Sequence, residues 1–200
     1  MLKVTVFDSS TIIEDIVCHC RSNPSFAFAY FYFDFHDSAK QRYENLVRSL
    51  IEQFSAQCAS APEALENLYS RSQDGARQPT ADALVATLRD IVCGFRHTYI
   101  AIDALDECSE REELLCLIEE IANWKIDTLH ILATSRKEQD IEHCLSPIVS
   151  NQIDIQSTLV DADIRIYIRE RLQSDRRLRK WSADAWLEIE TALMDGAHGM

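Results

Sequence analysis

The chain has 200 residues, 46% of them apolar, enough to bury one sizeable core and too apolar for a disordered segment. Its formal charge of −13 argues against a sequence-independent grip on nucleic acid or on an anionic membrane surface, since both need a surplus of Lys and Arg. Seven cysteines, odd in number, irregularly spaced and without a CxxC pair, read as reduced thiols of a cytosolic chain rather than a disulfide framework.

From the N-terminus, MLKVTVF offers a possible strand, and Thr11 with Glu14 fits a capping box for a helix running to about Arg21. Cys18-His19-Cys20 falls inside that helical pattern with no second ligand pair at zinc spacing, so no metal site is assigned there. The aromatic run 26–35, bounded by Asn23-Pro24, reads as a buried strand and not as membrane contact. Ser38 with Gln41 suggests another capping box, and Tyr43, Leu46, Val47, Leu50, Ile51 and Phe54 recur at helical spacing. Pro62 opens a short helix, Asp74-Gly75 breaks the chain, and Thr80 caps a helix striped by Leu84, Val85, Leu88, Ile91 and Val92.

Next comes TYIAIDALDEC, a short apolar run that ends in Asp103, with Asp106 and Glu107 just beyond. Such a run suits a parallel strand covered on both faces. Ser109 with Glu112 suggests a capping box for the next helix, 129–134 a second buried strand followed by Ser135-Arg136, and Ile153 to Ile155 a weaker third. Helices follow, one with Ile164, Tyr167, Ile168 and Leu172 on a face, another with Trp186, Ile189 and Leu193. The alternation predicts an α/β fold with a mostly parallel sheet and helices on both faces over 1–157, then a helical segment over 158–200 that looks cut at its Gly-rich end. In such sheets ligands bind beyond the carboxyl ends of strands, where Asp103 and Thr134-Ser135-Arg136 both fall.

A few carboxylates at a strand end suit Mg²⁺, which keeps several waters and takes substrate phosphate oxygens. On that reading Asp103 serves the metal, and Asp106 or Glu107 polarises an attacking water. The bland reading makes Asp106 and Glu107 favourable charges near a helix start, Thr134 and Ser135 caps, and Arg136 a solvated side chain.

IAIDALDE resembles the extended Walker B strand of the signal-transduction (STAND) NTPases, specifically the NACHT group and the nephrocystin-like N-terminal domain of fungal NLR-type proteins. AYFYFDFHDSAKQRYENLVRSLIEQF resembles the strand and helix that precede it in that family, and LHILATSRKEQDI its sensor strand. The resemblance implies a cytoplasmic P-loop NTPase-like switch domain that binds and hydrolyses Mg²⁺ with ATP or GTP. It assigns Asp103 to the metal, Asp106 and Glu107 to hydrolysis, and Arg136, with Thr134 and Ser135, to the nucleotide phosphates. Protein partners would come through flanking domains or self-association, with neither nucleic acid nor membrane among them.

The family's GxxxxGK[ST] loop has no counterpart, the first glycine being Gly75. Lys3 is not taken as the phosphate-binding lysine, because Val4 separates it from Thr5. Two expectations follow: a nucleotide switch impaired by loss of that loop, or a non-catalytic P-loop-like interaction module that keeps the acids as helix caps. Unless 2–7 supplies a strand, the sheet also lacks its central member and exposes apolar edges.

Overall fold

The computed structural model describes residues 2–5, 9–58, 61–72, 74–153, 158–175 and 177–197. The chain divides into two compact units, Met1–Ile153 and Asp154–Met200, against an expected boundary at 157.

The first unit is built on a five-stranded sheet in the order β2-β3-β4-β1-β5, every neighbouring pair parallel. Its strands are β1 (Leu2–Thr5), β2 (Phe26–Tyr32), β3 (His97–Asp103), β4 (Leu129–Ala133) and β5 (Val149–Ile153). Residues 2–5 therefore do supply a strand, placed between β4 and β5. The third strand expected over 153–155 lies earlier, and residues 154 and 155 fall outside the described residues.

The helices are α1 (Ser9–Arg21), α2 (Tyr43–Ser55), α3 (Ala61–Arg71), α4 (Ala81–Val92), α5 (Arg111–Asn123) and α6 (Gln139–Leu145). Strand residues alternate between faces, and two apolar clusters show which helices cover each. Ala27, Ala29, Phe31, Ile100, Ile102, Leu129, Ile131 and Ala133 meet the stripes of α2, α4 and α5 in the large core. Phe28 and Ala101 face the other way, to Ile13 and Cys20 of α1. Only the β1-to-β2 connection runs back across the sheet, and a right-handed crossover in that direction places α1 on the opposite face.

The expected helix caps fared unevenly. Thr80 accepts from Ala83 N–H at 3.3 Å, as its position implies. Of the three expected capping boxes, two do not form, and the side chain that would make the Thr11 box lies outside the described residues. Thr11 lies inside α1. Asp37, not Ser38, caps the short 3₁₀ turn Ser38–Gln41. Ser109 caps nothing: its hydroxyl donates to Gln41 O at 3.1 Å, and α5 starts without a side-chain cap. The start of α2 is served from a distance, Tyr43 N–H donating to Glu110 Oε2 at 3.2 Å.

In the second unit α7 (Thr158–Ser174) and α8 (Ala183–Ala197) pack through Ile168, Leu172 and Met194, with Trp186 and Ile189 partly buried beside them. Tyr167 and Leu193, expected on the buried faces, are exposed. Arg169 makes a bidentate pair with Glu190 at 2.8 and 2.9 Å, which holds that carboxyl below its ordinary range. Ile164 lies outside the described side chains.

Cys18, Cys93 and Cys116 are exposed, whereas Cys20 and Cys108 are buried. Burial pushes the Cys108 thiol up to about 11, and burial with a hydrogen bond to Glu119 pushes Cys144 up to about 12. The thiolate is the reactive form, so in the folded protein at pH 8 a disulfide reagent should label the three exposed cysteines quickly. Cys20, Cys108 and Cys144 should react only on unfolding; fast labelling of Cys108 in the native state would contradict its burial.

Candidate functional site

Strands β2 and β3 run in register to a common end, Tyr32 beside Asp103, and β4 stops opposite them at Ala133. The chain segments that leave these strands form one rim. Thr134, the first residue past β4, is buried and ties two strands together. Its N–H donates to Ile102 O at 2.9 Å, and its hydroxyl donates to Asp103 Oδ1 at 2.6 Å while accepting from Ala104 N–H at 2.9 Å. Its carbonyl accepts from Leu105 N–H at 2.9 Å.

Ala104 is left-handed, with φ +58 and ψ +55. That conformation is unfavourable for any residue with a Cβ, and four backbone groups around it are pinned by Thr134 and by the 3₁₀ turn Leu105–Glu107. The turn folds back over the strand end and brings Asp106 and Glu107 to the same rim as Asp103. Ala104→Val, with a branched side chain in that region, should destabilise the unit by about 1–3 kcal/mol, whereas Ala104→Gly should stay within about 1 kcal/mol of wild type. Equal denaturation midpoints for the two variants would show that the turn is not strained.

Asp106 is nearly enclosed, its side chain 8% exposed. Its Oδ1 accepts from Arg136 N–H at 3.0 Å and from the Ser135 hydroxyl at 3.3 Å, and its Oδ2 lies 3.4 Å from Arg136 Nε. Glu107 reaches two ways: Oε1 lies 3.9 Å from Arg136 Nη2, and Oε2 accepts from Phe35 N–H at 3.0 Å. The Arg136 side chain remains 58% exposed, which leaves it accessible to an anion from solvent. Neither Thr134 nor Ser135 caps α6, which begins at Gln139 behind Glu138.

Two residues that sequence reasoning passed over also shape the rim. Arg111 donates to Asp106 O at 2.6 Å and pairs with Asp140 at 3.2 Å and Glu138 at 3.8 Å, joining the 3₁₀ turn to the start of α6. Burial raises the Asp140 carboxyl, but hydrogen bonds led by that from Arg111 outweigh it and hold the group below its ordinary range. That contribution to stability is present above the ordinary carboxylate range and fades as pH falls through the depressed value. Phe35 is anchored at both backbone polar atoms, by Glu107 and by the Gln41 side-chain amide, while its ring stays exposed. A Glu or Arg spaced to reach a rim 30 or 70 residues away leaves no local pattern, and periodicity finds neither residue.

Cys18, His19 and Cys20 lie on α1 in different surroundings. Cys18 is exposed, Cys20 is buried, and the His19 ring packs against Phe26 and Tyr99. Among the described residues no group of three or more His, Cys, Asp or Glu is placed to hold a metal ion.

The sequence profile described as "Nephrocystin 3, N-terminal" matches residues 7–136, well over half the chain and the whole span from α1 to Arg136. The chain belongs to the nephrocystin 3 N-terminal family. The family match takes in β2 to β4, α1 to α5 and the rim as far as Arg136, and leaves out β1, α6 and β5. No curated protein matches. Among solved structures, a chain of Drosophila ORC bound to DNA is similar at 10% identity and a TM-score of 0.42, covering 80% of this chain and 85% of that one. A chain of Drosophila ORC bound to AT-rich DNA and Cdc6 gives 10% identity and a TM-score of 0.42 over 96% and 73%. At that TM-score the likeness carries no argument about activity. Among the described residues no helix is long and apolar enough to cross a membrane.

Proposed function

We propose that this family member is the P-loop NTPase-like part of a cytoplasmic signal-transduction NTPase, and that its rim takes a Mg-nucleotide, ATP or GTP, weakly and with hydrolysis impaired. The observation that carries this reading is the gathering of Asp103, Asp106, Glu107, Thr134, Ser135 and Arg136 at the carboxyl ends of β3 and β4, where parallel α/β sheets take their ligands.

The residues fit a magnesium ion of the sparse kind. Asp103 stands at a strand end with one oxygen engaged by a neutral hydroxyl, and Mg²⁺ asks for only one or two carboxylates beside water and phosphate. Asp103 would hold the ion, which when bound neutralises phosphate charge. Arg136 would turn to the terminal phosphate, exchanging its contacts with Asp106 and Glu107 for an anion of higher charge. Asp106 and Glu107, released from the guanidinium, would orient a water. The charge of −13 speaks against nucleic acid as a partner; protein partners through flanking domains or self-association fit better.

A non-catalytic interaction module is the second reading, and one observation favours it. Asp106 already accepts from Ser135, from the Arg136 backbone and from the Arg136 side chain, which is what a purely structural carboxylate does. Amide chemical shifts separate the two. Adding Mg-ATP or Mg-GTP to about 10 mM, a concentration that detects millimolar affinity, should move the signals of Thr134, Ser135 and Arg136, and Asp103→Ala should abolish the shifts. Unmoved rim signals at that concentration would favour the interaction module.

A further inference from the structure

The outer edge of β2 is closed by side chains where a neighbouring strand would otherwise sit. Backbone polar groups of successive strand residues point to opposite edges, so alternate residues of an edge strand face away from the sheet. In β2 two of these are Phe28 and Tyr30. Phe28 N–H donates to Gln57 Oε1 at 3.2 Å, and Gln57 Nε2 donates back to Phe28 O at 2.8 Å. Tyr30 N–H donates to Gln53 Oε1 at 3.1 Å, and Gln53 Nε2 donates to Tyr30 O at 2.8 Å. Each primary amide thus makes the donor-and-acceptor pair that one residue of an adjacent strand would make.

The spacing explains why glutamines four apart can do this. Four helical residues rise about 6 Å, close to the roughly 6.6 Å between alternate residues of a strand. Gln53 on α2 and Gln57 in the turn after it therefore fall opposite Tyr30 and Phe28 in reverse order, as α2 runs back along the strand. Further bonds fix both amides: Gln53 Nε2 to Ser49 Oγ at 3.0 Å and Gln57 Nε2 to Gln53 O at 2.9 Å. At the start of the strand Phe26 N–H is taken by Asn23 O at 2.9 Å.

We infer that this pair of glutamines is a strand surrogate that keeps β2 from pairing with the same edge of a second copy of the chain. The second copy is the relevant partner because of what β2 is: FAFAYFY has seven residues, aromatic-rich, with no charge, proline or glycine, the composition that self-pairs when its edge is open. The clamp leaves the apolar strand intact and removes only its free hydrogen-bonding groups.

Gln→Met keeps side-chain length and helix propensity while removing both amide groups. In Gln53→Met/Gln57→Met, hydrogen exchange at the Phe28 and Tyr30 amides should accelerate by at least about tenfold, and sedimentation should show association rising with concentration beyond that of wild type. Gln57→Met alone should loosen Phe28 and Gln53→Met alone Tyr30; if the double variant loses its circular-dichroism signal, these single variants carry the test. Protected amides in the variants, or loosened amides with no gain in association, would overturn the inference.

Discussion

Thr134→Val should lower the stability of the α/β unit by about 2–4 kcal/mol, a drop of roughly 5–15 °C in its thermal midpoint. Valine keeps the shape of threonine and removes one hydroxyl, which here has two jobs. It donates to the Asp103 carboxylate at 2.6 Å, a charge-assisted bond, and it accepts the Ala104 N–H inside a left-handed turn. A hydrogen bond to a charged group contributes about 1.5–3 kcal/mol, and leaving a partly buried N–H without an acceptor costs about 1–3 kcal/mol. Asp103 is only half-buried and water can replace part of its loss, which places the total below the sum. Thr134→Ser restores the hydroxyl at the cost of one methyl, about 0.8 kcal/mol, and should recover most of the loss. A Thr134→Val protein that melts with wild type would mean that the hydroxyl does not hold the turn.

That hydroxyl also marks where sequence reasoning reaches its limit. The strands around it were legible because each is an apolar run too short for a helix: 26–35, 99–103 and 129–134 correspond to β2, β3 and β4 with small shifts at their ends. The stripes of α2 and α4 were legible for the same reason, periodicity imposed by one buried face. β5 was displaced by several residues because Ser150, Asn151 and Gln152 carry no apolar signal; pairing with β1, and not composition, makes VSNQI a strand. Two capping boxes failed on longer-range competition. Ser109 matched its local pattern but found a better acceptor in Gln41 O, and the first N–H of α2 went to Glu110, 67 residues away. Propensity rules weigh neighbours in sequence and cannot weigh partners the fold supplies.

The rim divides along the same line. Asp103, Asp106 and Glu107 stood out because acids directly after a buried strand need a physical reason, and Arg136 because it follows the end of the next buried strand. What they do to one another was not legible, since Arg136 meets Asp106 and Glu107 only when the register of β3 and β4 brings their ends level. Phe35 was invisible because its carboxylate partner lies 72 residues away, and Arg111 because the flanking acids do not single out the Asp106 carbonyl or the distant Asp140 as its partners.

Affinity for Mg-ATP or Mg-GTP should fall about three to six orders of magnitude short of a site with a complete phosphate loop. Only three residues, none of them glycine, separate β1 from α1, and the chain holds no GxxxxGK[ST] run. A phosphate cradle converges several backbone N–H groups and a lysine on the anion, and glycine allows that approach because it has no Cβ to clash. Removing about three charge-assisted contacts at roughly 1.5–3 kcal/mol each forfeits about 5–9 kcal/mol. Arg136, the rim cation assigned to phosphate, is already shared by two carboxylates, so a phosphate gains only the difference between its own charge and theirs. Millimolar or weaker dissociation constants are expected from the shift titration, with Arg136→Ala weakening binding further and Asp103→Ala abolishing it. A micromolar constant in this chain would show that phosphate is held by groups other than the rim, and the assignment of Asp103 and Arg136 would fall with it.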